Sequence, residues 1–440
     1  MKKSSGATQA MLQGLAPYIR RRPLGILALG LASGFPLALV LATLTLWLSE
    51  LGVSKGQIGL FAAVTLPYSL KFLWAPIVQA VRLPWLGRWL GHRRAWLLLI
   101  GAGLMASIWQ LGLSDPAQQL AVTAFWAVAV AVLSASQDIV IDAYRIEILA
   151  DSEQPAGATM ITVGYRIGLL ASGAGTLLLA EHFGWPAAYM LTALLVVIGW
   201  LAVWAMGEPV HPDASAASPA TALPSRFLET AIIDPLVNFF RGQGAVVALL
   251  IIAFLVLHKL GDAAAAIMTA PLLVDLGFSK PEIAFANKTV GAVAALIGSL
   301  LAAAVVYWLG LRWALLATSL LMMLTNLMFV VLALAGHDVG LLALSIGLEN
   351  FSSALGGTVL VVYLSQLCDL RYTATQYALL SALTNIARAL LATPSGFIQE
   401  AVGWPVFFLL STAAALPGIL LLWLLIRAGG LAPARPASNP

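Results

Sequence analysis

Along most of this chain the apolar residues come in blocks, each divided from the next by a short polar break. The blocks lie near residues 24–48, 56–80, 95–113, 118–146, 157–181, 186–206, 245–274, 282–308, 311–335, 339–367, 374–398 and 404–427. A helix needs about 20 such residues to cross a bilayer, so the pattern predicts an all-α membrane protein of about twelve transmembrane helices. Between the sixth and seventh blocks the pattern lapses. Residues 207–243 carry Pro209, Pro212, Pro219 and Pro224 among alanines and serines, which is the composition of a linker. The expected organisation is a six-helix half over 1–207, a linker over 208–243 on the cytoplasmic side, and a second six-helix half over 244–440.

Two motifs recur at matching places in these halves. Leu51-Gly-Val-Ser-Lys-Gly-Gln-Ile58 returns as Leu276-Gly-Phe-Ser-Lys-Pro-Glu-Ile283, and each copy follows an acid, Glu50 or Asp275. Gly184-Trp-Pro186 returns as Gly403-Trp-Pro405. The first pair joins blocks one to two and seven to eight; the second opens blocks six and twelve. Parallel repeats of this kind describe the two halves of major facilitator transporters, where substrate binds near the midplane between them.

Composition strengthens the membrane reading. Hydrophobic residues make up 61% of the chain and charged residues 10%, against about 25% charged in a soluble protein. The first block, preceded by Lys2, Lys3, Arg20, Arg21 and Arg22, is too long for a signal peptide and reads as a retained span. With the N-terminus in the cytoplasm, Lys55 and Lys280 alone among the basic residues outside spans would lie on the far side. The positive-inside rule therefore puts both termini in the cytoplasm. Arg82, Arg88, Arg93 and Arg94 would anchor the connection between spans two and three there. The net charge of +4 carries no message about nucleic acid, and Cys368, the one cysteine, forms no intrachain disulfide.

The charges inside the blocks change the picture most. Lys71, Asp138, Asp142, Arg166, Lys259, Asp262, Lys288, Glu349 and Arg388 all fall within predicted spans. Each costs about 2.5–3.5 kcal/mol at the centre of an inserting helix, so they should face a watered cavity or one another. In span four, Asp138 and Asp142 are four residues apart and share a helix face. Two carboxylates so close in a poorly solvated cavity do not both ionise easily. That suits a site that takes up and releases a proton; the structural alternative is that Arg145 pairs with Asp142 and locks the helix.

Other polar positions extend the candidate site. Tyr68 and Lys71 lie between Pro67 and Pro76, which should kink span two. Lys71 could pair with an aspartate of span four or meet substrate. Tyr165 and Arg166 lead into Gly168, Gly173 and Gly175, which read as close-packing positions. In the second half, Lys259 and Asp262 could neutralise each other, Asn287 and Lys288 lie in span eight, and Glu349 and Asn350 lie in span ten. A Lys288–Glu349 pair is one expectation. No Gly-x-x-x-x-Gly-Lys-Ser/Thr loop for ATP, no nucleophile elbow and no His/Cys metal spacing occurs, so neither enzymatic chemistry nor a cofactor or metal is expected.

Several stretches resemble the AmpG family of muropeptide permeases. They are Ala32-Ser-Gly-Phe-Pro36, Lys71-Phe-Leu-Trp-Ala-Pro76, Ser136-Gln-Asp-Ile-Val-Ile-Asp-Ala-Tyr-Arg145, Tyr165-Arg-Ile-Gly168, Asn287-Lys-Thr-Val-Gly291, Leu348-Glu-Asn-Phe351 and Arg371-Tyr-Thr-Ala-Thr-Gln-Tyr377. The resemblance implies a major facilitator fold in the inner membrane of a Gram-negative bacterium, working by default as a monomer. It implies proton-driven import of N-acetylglucosaminyl-1,6-anhydro-N-acetylmuramyl peptides for cell-wall recycling, with a contribution to β-lactamase induction. On this resemblance Asp138 and Asp142 would handle the proton, with Gln137 beside them. Tyr68, Lys71, Arg166, Lys259, Asp262, Asn287, Lys288, Glu349 and Asn350 would line the path of the substrate. One departure stands out: Gln79 occupies the place where major facilitator proteins usually carry an aspartate after span two. A carrier of another metabolite, such as acetyl-CoA or a drug, is the alternative function.

Overall fold

The computed structural model describes residues 16–209, 233–392 and 394–429. Every regular element among them is helical. Eight helical stretches are long and apolar enough to cross a membrane: Arg21–Glu50, His92–Leu113, Leu120–Ile148, Asp151–Met206, Ala245–Asp275, Lys280–Ala335, Val339–Leu367 and Trp404–Arg427. Two of these are about twice the bilayer thickness, and each is broken at a left-handed glycine, Gly184 (φ 79°) and Gly310 (φ 73°). Those breaks fall where the hydropathy pattern separates blocks five from six and eight from nine. Large apolar side chains such as Leu201, Trp204, Val246 and Leu334 stand well exposed on the outside, which in a spanning protein is the lipid-facing surface.

The main helices are α1 (Arg21–Ala38), α2 (His92–Leu113), α3 (Leu120–Ile148), α4 (Gln154–Leu170), α5 (Thr176–Ala193), α6 (Leu195–Met206), α7 (Ala245–Leu257), α8 (Leu260–Asp275), α9 (Ala292–Ala335), α10 (Val339–Leu367), α11 (Thr373–Ala392), α12 (Trp404–Ala413) and α13 (Leu416–Arg427). The block predicted near 56–80 is not one continuous helix. It consists of α-helical turns Lys55–Leu60, Leu66–Leu70 and Ala75–Ala80, joined by 3₁₀ turns Phe61–Thr65 and Lys71–Leu73. Pro67 and Pro76 sit in the first turns of the second and third pieces, where a missing N–H costs least.

The chain divides into two compact units. Among the described residues, one comprises residues 16–209, 233–236 and 370–378; the other comprises 237–369, 379–392 and 394–429. In the first unit, α1 and α4 meet backbone to backbone. A Cβ on Gly34 would lie 2.1 Å from the Tyr165 carbonyl oxygen, and one on Gly164 2.1 Å from that of Leu27. Gly168 belongs to the same seam, as expected, whereas Gly173 and Gly175 have open space where a Cβ would point.

The repeated sequence motifs are repeated in space. Gly52 and Gly277 take left-handed backbones at φ 73° and 76°, as expected for the end of a helix. Ser54 and Ser279 then cap the next helical turn, accepting from the N–H of Gln57 and Glu282. In the first unit the Trp185 indole donates to Glu50 Oε2 at 3.0 Å; in the second the Trp404 indole donates to Asp275 Oδ2 at 3.0 Å. Both tryptophans follow left-handed glycines, Gly184 and Gly403.

The other end of the first unit is tied by a buried guanidinium. Arg93 grips Glu147 through Nη2 (2.7 Å) and Nε (3.0 Å), and Nη2 also donates to Gln79 Oε1 at 2.8 Å. Arg93 therefore is buried, unlike its expected neighbours Arg82 and Arg88, which are exposed. Gln79 Oε1 also accepts from the Ala374 N–H (3.0 Å), while its Nε2 donates to the Arg371 carbonyl (2.9 Å). A carboxylate could not make that last bond, because it has no donor. Glu147 accepts from Thr373 Oγ1 at 2.5 Å, so the segment 370–378 is held in this unit by Gln79 and Glu147 together. Glu208 closes the start of α2 by accepting from the N–H groups of Arg93 (2.7 Å) and Arg94 (3.1 Å). Burial pushes the Glu208 carboxyl up, outweighing these donors.

Two outcomes follow from this packing. Gly34→Ala overpacks the α1–α4 seam and costs about 1–3 kcal/mol, read as a lower apparent Tm of the purified protein. Trp185→Phe and Trp404→Phe each cost about 1 kcal/mol; similar Tm losses in the two variants check that the two clamps are equivalent.

Candidate functional site

The fourth-span motif and its surroundings converge in the first unit. The α1–α4 seam sets α1 so that Ala32 and Ser33 meet α3. Gln137 Nε2 donates to the Ala32 carbonyl at 2.9 Å, and Ser33 Oγ donates to Asp138 Oδ1 at 2.6 Å. The broken second span delivers Lys71, whose Nζ lies 3.4 Å from Asp142 Oδ2 with side chains 12% and 18% exposed. Trp74 Nε1 bonds Ser136 Oγ at 3.0 Å and fixes the same stretch to α3. The Tyr68 hydroxyl is buried beside Ser134 and Asp138 without a well-aligned partner. Tyr165 lies close to Asp138, and the buried Nε of Arg166 next to it has no hydrogen-bond partner.

Of the readings open for span four, the structure realises the Lys71 pairing. Arg145 does not pair with Asp142. It is fully buried, none of its three guanidinium nitrogens has a hydrogen-bond partner, and it lies over the Tyr377 ring at 5.4 Å. Asp138 and Asp142 thus differ in company: Asp142 has a cation, Asp138 a neutral hydroxyl. The two carboxylates share one face of one helix but not one set of partners.

A second cluster forms in the other unit. Lys259 stands at the junction of α7 and α8, and its Nζ lies 3.3 Å from where a Cβ on Gly357 of α10 would sit. Asp262, on α8, accepts from Ser353 Oγ of α10 at 3.2 Å. Glu349, one helical turn before Ser353, faces Asp262 and Lys259. Among the described residues no ion pair joins Lys288 to Glu349. Lys288 is exposed on a π-helical turn, Phe285–Gly291, which turns it away from the register of a straight helix. Asn287 on the same turn bonds the Ile283 carbonyl (3.0 Å), and Asn350 bonds that of Ile346 (2.9 Å) and abuts Gly291. The side chain of Arg388 lies outside the described residues.

Sequence reasoning found the residue types of both clusters but not all partners. Ser33 and Ser353 were missed as the donors to the two aspartates. A serine on an apolar helix is an ordinary sight, and only the fold shows which carboxylate it reaches.

Comparison with known proteins gives a consistent picture. The family described as acetyl-coenzyme A transporter 1 matches residues 24–117. The anhydromuropeptide permease of Escherichia coli (strain K12) is 37% identical over 399 residues, covering 90% of this chain and 78% of that protein. A protein named putative transporter AmpG 4, from Rickettsia felis, is 33% identical over 401 residues, covering 90% of this chain and 94% of that one. Among solved structures, the proton:xylose symporter XylE matches with a TM-score of 0.69 at 13% identity, over 93% of this chain and 96% of that one. The major facilitator transporter FucP in its outward conformation matches with a TM-score of 0.64 at 14% identity, over 93% and 99%. These likenesses show the major facilitator fold.

The Lys71–Asp142 pair yields a direct test. Lys71→Met strands a half-buried carboxylate and costs about 3 kcal/mol, whereas Lys71→Met with Asp142→Asn removes both charges and recovers most of it. Thermal unfolding of the two purified variants reads the difference.

Proposed function

Because this chain belongs to the AmpG family of muropeptide permeases within the major facilitator superfamily, we propose that it imports N-acetylglucosaminyl-1,6-anhydro-N-acetylmuramyl peptides by proton symport. It is a permease and not an enzyme. In this reading twelve spans form two six-helix halves, 1–207 and 244–440, joined by a cytoplasmic linker over 208–243. The chain sits as a monomer in the inner membrane with both termini in the cytoplasm. The imported muropeptides enter cell-wall recycling and contribute to β-lactamase induction. The repeated Glu50–Trp185 and Asp275–Trp404 clamps support the two halves.

The observation that carries proton coupling is the unequal pair on α3. Asp142 pairs directly with Lys71, while the hydrogen bond to Asp138 comes from the neutral Ser33 hydroxyl and the Lys71 cation reaches it from farther off. A proton on Asp138 leaves the cluster neutral; its loss leaves a net negative charge in a poorly solvated site, which is costly. Substrate would meet Gln137, Tyr68, Lys71 and Arg166 from one half, and Lys259, Asp262, Asn287, Lys288, Glu349 and Asn350 from the other. Amide and hydroxyl groups of this set suit the sugars and peptide bonds, and the cations suit the peptide carboxylates.

A carrier of another anionic metabolite is the second reading, favoured by the match of residues 24–117 to the acetyl-coenzyme A transporter family. That match stops before α3. The two readings separate in proteoliposomes of the purified carrier. Labelled anhydro-muropeptide uptake rises with an inward proton gradient, and Asp138→Asn loses the gradient-driven part. Uptake indifferent to both the gradient and the substitution would sink the proposal, and competition by acetyl-CoA but not by muropeptide would favour the second reading.

A further inference from the structure

The Asp262–Glu349 contact is the least satisfied polar feature of the second unit. Asp262 is 9% exposed. Its Oδ2 accepts from Ser353, but its buried Oδ1 has no hydrogen-bond partner, and neither has the buried Oε2 of Glu349. Ser353, which reaches Asp262, lies four residues after Glu349 on α10, so both acids face the same place between α8 and α10. Carboxylate oxygens are acceptors only. Two of them close together in a buried place repel unless something positive stands near them.

We infer that Asp262 and Glu349 form a second proton-binding site, in which one proton is held between the two carboxyl groups. The titratable groups around it are few. Lys259 lies at the head of α8, and His258, with Nδ1 3.4 Å from Ser319 Oγ, ends α7. Glu349 faces the site from α10. One lysine cation and two carboxylates leave one negative charge, and a single proton cancels it. Binding forms one O–H bond shared across the pair; release breaks it and returns the proton to water, with no other reactant.

A metal cation fits less well. Hard cations gather about six oxygens or more, whereas this place offers the two unpartnered carboxylate oxygens and the Ser353 hydroxyl already spent on Oδ2. The Lys259 ammonium nearby also opposes a second cation. The site matches the first cluster in its parts: one lysine, two acids, and one serine donating to an aspartate. The inference stands on these side chains and holds whatever the transported molecule is; it changes the role of Asp262 and Glu349 from substrate contacts to proton holders.

Infrared difference spectra of the full-length carrier in lipid, without substrate, test it. Between acid and alkaline buffer a carbonyl band of a protonated carboxyl should appear that is lost in Glu349→Gln and in Asp262→Asn but kept in Asp138→Asn. Ser353→Ala, which removes a hydrogen bond and not a carboxyl, keeps the band at a shifted frequency and guards against misfolding of the other two. A band unchanged in both carboxyl variants overturns the inference. So does a band that sodium chloride abolishes at fixed pH while potassium chloride does not, since that marks a sodium site. Because no substrate is present, failure here is distinct from failure of the uptake assay.

Discussion

The contact on which the first unit depends is made by atoms without side chains. Gly30 and Gly34 on α1 lie against Gly164 and Gly168 on α4 so closely that a methyl group on any of them would collide with backbone. In lipid there is no hydrophobic gain from pressing two apolar helices together, so close van der Waals packing of small residues has to hold them. This seam fixes where α1 presents Ser33 and the Ala32 carbonyl. It also sets Tyr165 and Arg166 beside the same place. The polar site is thus positioned by the most featureless residues in the chain.

Within the first unit, charge placement obeys the low-dielectric constraint by different degrees of completion. Arg93 and Glu147 are the most closely matched, with two donors on two oxygens and further bonds to Gln79 and Thr373, though the buried Nη1 of Arg93 has no partner. Lys71 and Asp142 are matched by charge at a longer distance. Arg145 has only the face of Tyr377, a contact that stabilises a cation without satisfying its N–H groups. A matched buried pair is costly to break, and an incompletely matched one is free to exchange partners. The gradation runs from the end of the unit to the span interiors.

Much of the architecture was legible because lipid forces simple patterns. The block at 339–367 coincides with α10 and that at 404–427 with the Trp404–Arg427 stretch, since a spanning helix must satisfy its own backbone and stay apolar throughout. Breaks were visible as Gly184-Trp-Pro and as the prolines around Tyr68. The failures have a common cause. Gln79 looked like the loss of an acidic group, but the position needs an acceptor for Arg93 and Ala374 and a donor for Arg371, which an amide supplies. Lys288 looked like the partner of Glu349, but a π-helical turn moves it off that register, and such turns leave little trace in hydropathy. Pairings across a hundred residues, such as Ser33 with Asp138, depend on packing that no local pattern encodes.

The two tryptophan clamps also bear on how the protein is made. Glu50 waits 135 residues for Trp185, and Asp275 waits 129 for Trp404. Neither acid can find its indole until the helices between them have been made and have entered the bilayer. Each clamp is therefore a late event of synthesis. Nascent chains halted before residue 185 or 404 would leave the corresponding loop acid to water, open to the insertion and quality-control machinery until the last helices arrive.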